Sequence, residues 1–172
     1  ETKLKKGQKM FGIVQGSVFR DLREKSLEGL LKLGFDGYGI GGEEEGHELY
    51  KTVELICAKV PKDKPVYMMG IGKPKDIREC VSRGVSMFDC VRPTREARHG
   101  RLYISENKFI NICNSRYRLD FSLVSKECQC PCCKHFTKSY LHHLLRTKEG
   151  LGYRLASLHN LYFLLKFIKD LN

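Results

Sequence analysis

The sequence predicts an α/β fold: a parallel sheet built from βα units, followed by a metal-held subdomain that ends in helices. Three observations point there. Short apolar runs ending in glycine alternate with amphipathic stretches over the first ninety residues. Four of the eight cysteines crowd into residues 128–133. Beyond Ser139, leucines recur at helical spacing.

Residues 9–14 read as a buried strand ended by Gln15-Gly16. Residues 17–32 hold Val18, Leu22, Leu27, Leu30 and Leu31 in an amphipathic helical pattern, which Gly34 closes. A second, Gly-rich strand spans residues 35–40 and ends at Gly41-Gly42. Leu49, Val53, Ile56 and Val60 mark the next helix, and residues 61–65 a turn. Residues 66–69 form the third strand, ended by Gly70-Ile71-Gly72. Pro74 suits the first turn of a third helix. Residues 85–91 form the fourth strand, with Asp89 near its end. This is half of an eight-stranded barrel, or most of a small doubly wound sheet. Both place ligands at the C-terminal ends of the strands, here Gln15-Gly16, Gly41-Gly42, Met69-Gly70 and Asp89.

The style then changes. Residues 92–118 contain seven Lys or Arg against two Glu, and residues 102–105 and 108–112 suit a β-hairpin. The expected division is residues 1–100, βα repeats, and residues 101–172, hairpin, metal subdomain and C-terminal helices. The tail is expected to show two apolar faces, one of Leu141, Leu144 and Leu145, the other of Leu155, Leu158, Leu161, Tyr162 and Leu165.

Composition narrows the class. Hydrophobic residues at 41% suit a soluble globular chain, and no apolar run reaches the roughly 20 residues that span a bilayer. The opening residues lack a signal peptide's apolar stretch, so the expected location is the cytoplasm, without membrane attachment. A net charge of +11 is large for 172 residues and makes a polyanion partner plausible.

Crowded cysteines without an export signal favour a metal over disulfides. Cys128-x-Cys130-x-x-Cys133 offers three thiolates, and a tetrahedral Zn²⁺ needs a fourth ligand. His159 supplies it best, with His135, His142 and His143 as weaker candidates and Cys132 able to replace a neighbour. A closed shell of this kind is structural: it clips loop to helix and leaves no position open for chemistry.

Several of these segments occur together, in this order, in one known family. They are Phe11-Gly12-Ile13-Val14-Gln15-Gly16, Gly34-Phe35-Asp36-Gly37-Tyr38, Gly41-Gly42, Tyr67-Met68-Met69-Gly70-Ile71-Gly72-Lys73-Pro74, Met87-Phe88-Asp89-Cys90-Val91-x-Pro93-Thr94-Arg95, the cysteine loop, and Leu158-His159-Asn160-Leu161. The chain resembles the C-terminal half of the bacterial-type tRNA-guanine transglycosylases. Each motif alone is weak to moderate; the ordered set is specific and covers nearly all of the chain.

The resemblance implies an irregular (β/α)8 TIM barrel with an inserted zinc-binding subdomain. It implies exchange of guanine at the tRNA anticodon wobble position for a 7-deazaguanine, in the queuosine pathway. Asp89 matches the nucleophile, in a double displacement like that of a retaining glycosidase. Gln15, Gly42, Met69 and Gly70 match residues that hold the base. Lys73, Arg95 and Arg98 match positions that hold the anticodon-loop phosphates. Cys128, Cys130, Cys133 and His159 match the Zn²⁺ ligands. The implied partners are the tRNA anticodon loop, a free deazaguanine base and a second copy in a homodimer.

The family's general acid/base belongs to an N-terminal half, so this chain alone is expected to be inactive. The segment after Gly41-Gly42, Glu43-Glu44-Glu45-Gly46-His47, is shorter than the family's usual run, and Arg92 replaces a usual apolar residue. The alternatives are a non-catalytic tRNA-binding partner subunit of a heterodimeric transglycosylase and a zinc-stabilised RNA-binding module without chemistry. An intact Asp89 motif speaks against the first and the glycine-lined strand ends against the second. Without the family context, Asp89 reads as a cap or an arginine partner, Met69 as an ordinary core residue, and the three basic residues as a solvated face.

Overall fold

A computed structural model describes residues 4–42 and 46–171. The chain packs as two compact units, one of Glu1–Gly72 and Asp76–Cys90, the other of Lys73–Lys75 and Val91–Asn172.

The first unit alternates strand and helix: β1 (Phe11–Val14), α1 (Arg20–Leu33), β2 (Gly37–Ile40), α2 (Gly46–Lys59), β3 (Val66–Met68), α3 (Pro74–Ser82) and β4 (Met87–Phe88). The four strands are parallel and hydrogen-bonded in the order β1-β2-β3-β4. That order has no reversal, so the sheet is not doubly wound. Right-handed crossovers between successive neighbours send the helices to one face. The core between sheet and helices is Val14, Leu27, Ile40, Leu49, Val53, Ile56, Val66 and Met68, all buried. α2 shows the predicted face, and Gly34 caps α1 in the left-handed conformation with φ 69°.

Two sequence-based expectations are corrected in this unit. The helix begins at Arg20 rather than residue 17, because Ser17 takes a left-handed φ of 50°. Its buried face is not the run that starts at Val18: Val18 and Leu22 are about half exposed, whereas Arg23 is 1% exposed. Arg23 lies inward because the end of β1 leaves carbonyls to satisfy, and its guanidinium donates to Val14 O and Ser17 O at 2.9 and 2.8 Å. The fourth strand is also shorter than residues 85–91. The chain turns after Asp89, and Val91 is already the N-cap of a helix with a proline in its first turn.

That helix, α4 (Arg92–Arg98), opens the main run of the second unit. It is followed by the hairpin β5 (Arg101–Ser105) and β6 (Lys108–Asn111), a 3₁₀ turn over Ser115–Tyr117, α5 (Pro131–His135), α6 (Lys138–Arg146) and α7 (Gly150–Lys169). α7 is central and packs on α4, α5, α6 and β5. Leu141, Leu144 and Leu145 of α6 are buried as expected, but α7 turns a different face inward. Gly152, Leu155, Ala156, His159, Asn160 and Leu164 are buried, and Leu158, Leu161 and Leu165 are exposed. Two polar side chains thus sit where leucines were expected.

Asn160 has no solvent exposure and is fully used. Its Nδ2 donates to Pro93 O and Arg101 O at 3.0 and 2.9 Å, and its Oδ1 accepts from Tyr103 N–H at 3.1 Å. One side chain thereby ties α7 to α4 and β5. Asn160→Ala is expected to lower the unfolding free energy by about 3 kcal/mol, since it strands three buried backbone groups. Urea unfolding measures it; a loss under about 1 kcal/mol would contradict that role. Among the described residues, no helix is long and apolar enough to cross a membrane.

Candidate functional site

The first unit gathers the predicted residues at one edge of its sheet. Gln15 follows β1, Gly41 and Gly42 follow β2, Met69 and Gly70 follow β3, and Asp89 follows β4. In a parallel sheet these are all C-terminal strand ends, so the four loops share an edge. Gln15 is exposed, and its amide lies on the backbone of Gly41: a Cβ at Gly41 would meet Gln15 Nε2 at 2.5 Å. Any larger residue at 41 would displace that amide. Gly42 has φ 127°, and Met69 is half-buried.

Asp89 is the most elaborately held. Its Oδ1 accepts from the Tyr67 hydroxyl at 2.6 Å and from the Gly70 N–H at 3.0 Å. Gly70 turns its N–H to the carboxylate with φ 74°, a conformation that suits glycine. The Tyr67 hydrogen bond, then that from Gly70, pushes the Asp89 carboxyl below the usual carboxylate range. The same bond pushes the Tyr67 hydroxyl up. The outcome is an exposed, oriented and ionised carboxylate at a strand end.

Lys73, Arg95 and Arg98 belong to the second unit. Arg95 and Arg98 stand exposed in the last turn of α4. On the same helix Arg92 pairs with Glu96, which also meets Arg101 Nε at 3.5 Å. The arginine that departs from the family pattern therefore has a local carboxylate partner. The short segment after Gly42 lies, at residues 43–45, outside the described residues.

The second unit brings together Cys128, Cys130, Cys133 and His159, with all four ligand atoms within 4.8 Å of one another. Three are fully buried and Cys128 is half-buried. His159 Nδ1 lies 3.8, 3.5 and 3.3 Å from the sulfurs of Cys128, Cys130 and Cys133. A tetrahedral zinc with ordinary bond lengths puts sulfur and nitrogen ligands about 3.6 Å apart. The opposite ring nitrogen, Nε2, is 2.8 Å from Tyr103 O and must donate to it. That fixes the tautomer and leaves the Nδ1 lone pair aimed at the sulfurs. Cys130 also caps α5, its sulfur accepting from Cys133 N–H at 3.3 Å. The donor set and spacing fit a metal ion.

The remaining candidates stand apart. Cys132 is fully buried in the core beside the cluster but outside the four-ligand group. His142 is buried and hydrogen-bonds Ile112 O through Nδ1 at 2.8 Å; His135 and His143 are exposed. Three residues that matter to these sites escaped the sequence reading: Arg23, Tyr67 and Asn160. Alternation along β3 could have placed Tyr67 on Asp89's side of the sheet. No local signal marks Arg23.

The family model described as queuine tRNA-ribosyltransferase matches residues 1–172. A queuine tRNA-ribosyltransferase of Histophilus somni is 50% identical over 157 residues, covering 90% of this chain and 42% of the relative. Proteins of the same name from Aeromonas hydrophila and Pasteurella multocida are 47% and 48% identical, covering 94% and 90% of this chain and 43% and 40% of their own lengths. The chain thus spans well under half the length of the curated relatives it matches. Matched along its whole length by the family model, the chain belongs to the queuine tRNA-ribosyltransferase family.

Proposed function

We propose that this chain forms the nucleophile-bearing half of a tRNA-guanine transglycosylase that exchanges guanine at the anticodon wobble position for a 7-deazaguanine. The observation that supports this most is the Asp89 carboxylate, ionised and oriented by Tyr67 and Gly70 beside the Gln15 and Met69 loops. Asp89 attacks C1′ of the ribose. The glycosidic C–N bond breaks, guanine leaves with the electron pair and takes up a proton, and an Asp89–ribose ester remains. The incoming base attacks C1′ in turn, the ester bond breaks, the carboxylate is restored and the incoming base loses a proton. Gln15 and the backbone at Gly42 and Gly70 hold the base edge, and Met69 packs on its face. Lys73, Arg95 and Arg98 hold the anticodon-loop phosphates, and the target base is splayed out to be reached.

The sequential sheet β1-β2-β3-β4 supports reading this unit as half of a (β/α)8 barrel completed by an N-terminal half, which brings the general acid/base. By that reading residues 1–100 bear the nucleophile and residues 101–172 form the zinc subdomain with its flanking hairpin and helices. The Cys₃His shell is read as a structural Zn²⁺ site, whose metal closes the loop of Cys128 onto α7. The exposed Leu158, Leu161 and Leu165 stripe of α7 supplies an apolar surface for a homodimer in the cytoplasm.

The test pairs this chain with the N-terminal half that the resemblance calls for, and incubates both with unmodified tRNA and labelled guanine. Label enters the tRNA by this reading. Binding without exchange would favour a non-catalytic partner subunit. A second expectation concerns pH. Asp89 is active as the anion, so activity is present above its lowered pKa and lost as pH falls through it. Tyr67→Phe removes the principal lowering cause, so the acid limb of the kcat/KM profile moves to higher pH. An unmoved limb would separate Tyr67 from the nucleophile.

A further inference from the structure

The second unit has an open cleft of about 810 Å³ walled by α6 and the 3₁₀ turn. Ser139, His143 and Arg146 line it from one face of α6, at positions i, i+4 and i+7; Cys113, Ser115 and Arg118 line it opposite. No Asp or Glu is among its lining residues. Elsewhere in this unit basic groups are matched locally: Arg92 and Arg101 by Glu96, Lys138 by Asp120, and Arg116 by the ring and hydroxyl of Tyr117. Among the described residues Arg118 and Arg146 have no carboxylate partner and stand exposed. The Ser139 hydroxyl donates to Arg118 O at 2.6 Å, which ties the turn to α6 and fixes the arginine's backbone.

We propose that this cleft is a second RNA-backbone contact, in which Arg118 and Arg146 each take a phosphate and the Ser115 hydroxyl and His143 ring serve the sugar–phosphate between them. The cleft is far larger than one phosphate needs, so it fits a length of strand rather than a lone anion. Two guanidinium groups suit phosphodiester oxygens, which they meet as planar, bidentate donors. This rests on the transglycosylase reading, which makes tRNA the partner, and adds a contact on residues other than Lys73, Arg95 and Arg98.

The experiment measures tRNA binding to the chain joined with the N-terminal half, by fluorescence anisotropy over a salt series. The double variant Arg118→Ala/Arg146→Ala should weaken binding about tenfold and lower the log–log salt slope by about 2. Arg118→Lys/Arg146→Lys should retain most of the slope, and metal content and melting temperature should match the parent throughout. An Arg95→Ala/Arg98→Ala variant separates the two ideas. If that variant loses affinity while the cleft variant binds like the parent, the cleft inference is overturned and the transglycosylase reading stands. If the parent binds no tRNA, both fall. A cleft variant that changes self-association in sedimentation, or polyglutamate binding, but not tRNA affinity makes the cleft a protein contact and also overturns the inference.

Discussion

Replacing Asp89 by Asn should lower the base-exchange rate by roughly 10⁴-fold or more, the scale seen when a covalent nucleophile is removed. The change is nearly isosteric, and Oδ1 can still accept from Tyr67 and Gly70, so folding and tRNA binding should persist. Lost chemistry with retained binding separates a nucleophile from a structural cap. A cap would show the reverse: lowered stability with exchange intact. Asp89 is exposed and makes no ion pair among the described residues, so little stability is at stake in it. Residual exchange near the parent rate would remove Asp89 from the mechanism.

Metal removal should have the other large effect. The four ligands come from the loop ahead of α5, from α5 itself and from α7, and the core around them is assembled from the same elements. Structural zinc sites of this type contribute about 10–16 kcal/mol in apparent binding free energy at neutral pH. That exceeds the whole stability of an ordinary domain, about 5–15 kcal/mol. Cys130→Ala or His159→Ala should therefore release the metal and unfold the second unit. Measured metal should fall from one zinc per chain to none, with loss of helical circular dichroism. Cys132→Ser should keep the metal, because its sulfur is outside the four-ligand group, and should cost only core packing. Zinc loss on Cys132→Ser would mean that the ligand set is misassigned.

Much of this was legible in the sequence, for physical reasons that differ by element. The four strands and their helices announced themselves because each buries one face, as the Leu49, Val53 and Ile56 spacing of α2 does. The cysteine loop was legible because thiolates at that spacing have few other uses, and His159 comes to it through the fold of α7. The misreadings occurred where polar groups occupy the inside. Arg23 is buried because it satisfies carbonyls at the end of β1, and a pattern of apolar residues cannot reveal that. On α7 the leucines at 158, 161 and 165 suggested a buried face, yet His159 and Asn160 face inward because the zinc cluster and the hairpin backbone need their nitrogens and oxygens. α4 was hidden in a basic run, although Pro93 is a legible first-turn residue. The Tyr67–Asp89 contact joins residues from two adjacent strands and depends on register, which spacing within either strand does not reveal.

The central claim is that Asp89 bonds covalently to the ribose of tRNA. The most direct measurement incubates the chain and its N-terminal half with tRNA and no acceptor base, denatures the mixture, digests it and locates the adduct by mass spectrometry. The account predicts a nucleotide-bearing peptide modified at Asp89, which disappears when excess guanine is added before denaturation and never forms with Asp89→Asn. An adduct on another residue, or efficient base exchange with no adduct at any time, would contradict it.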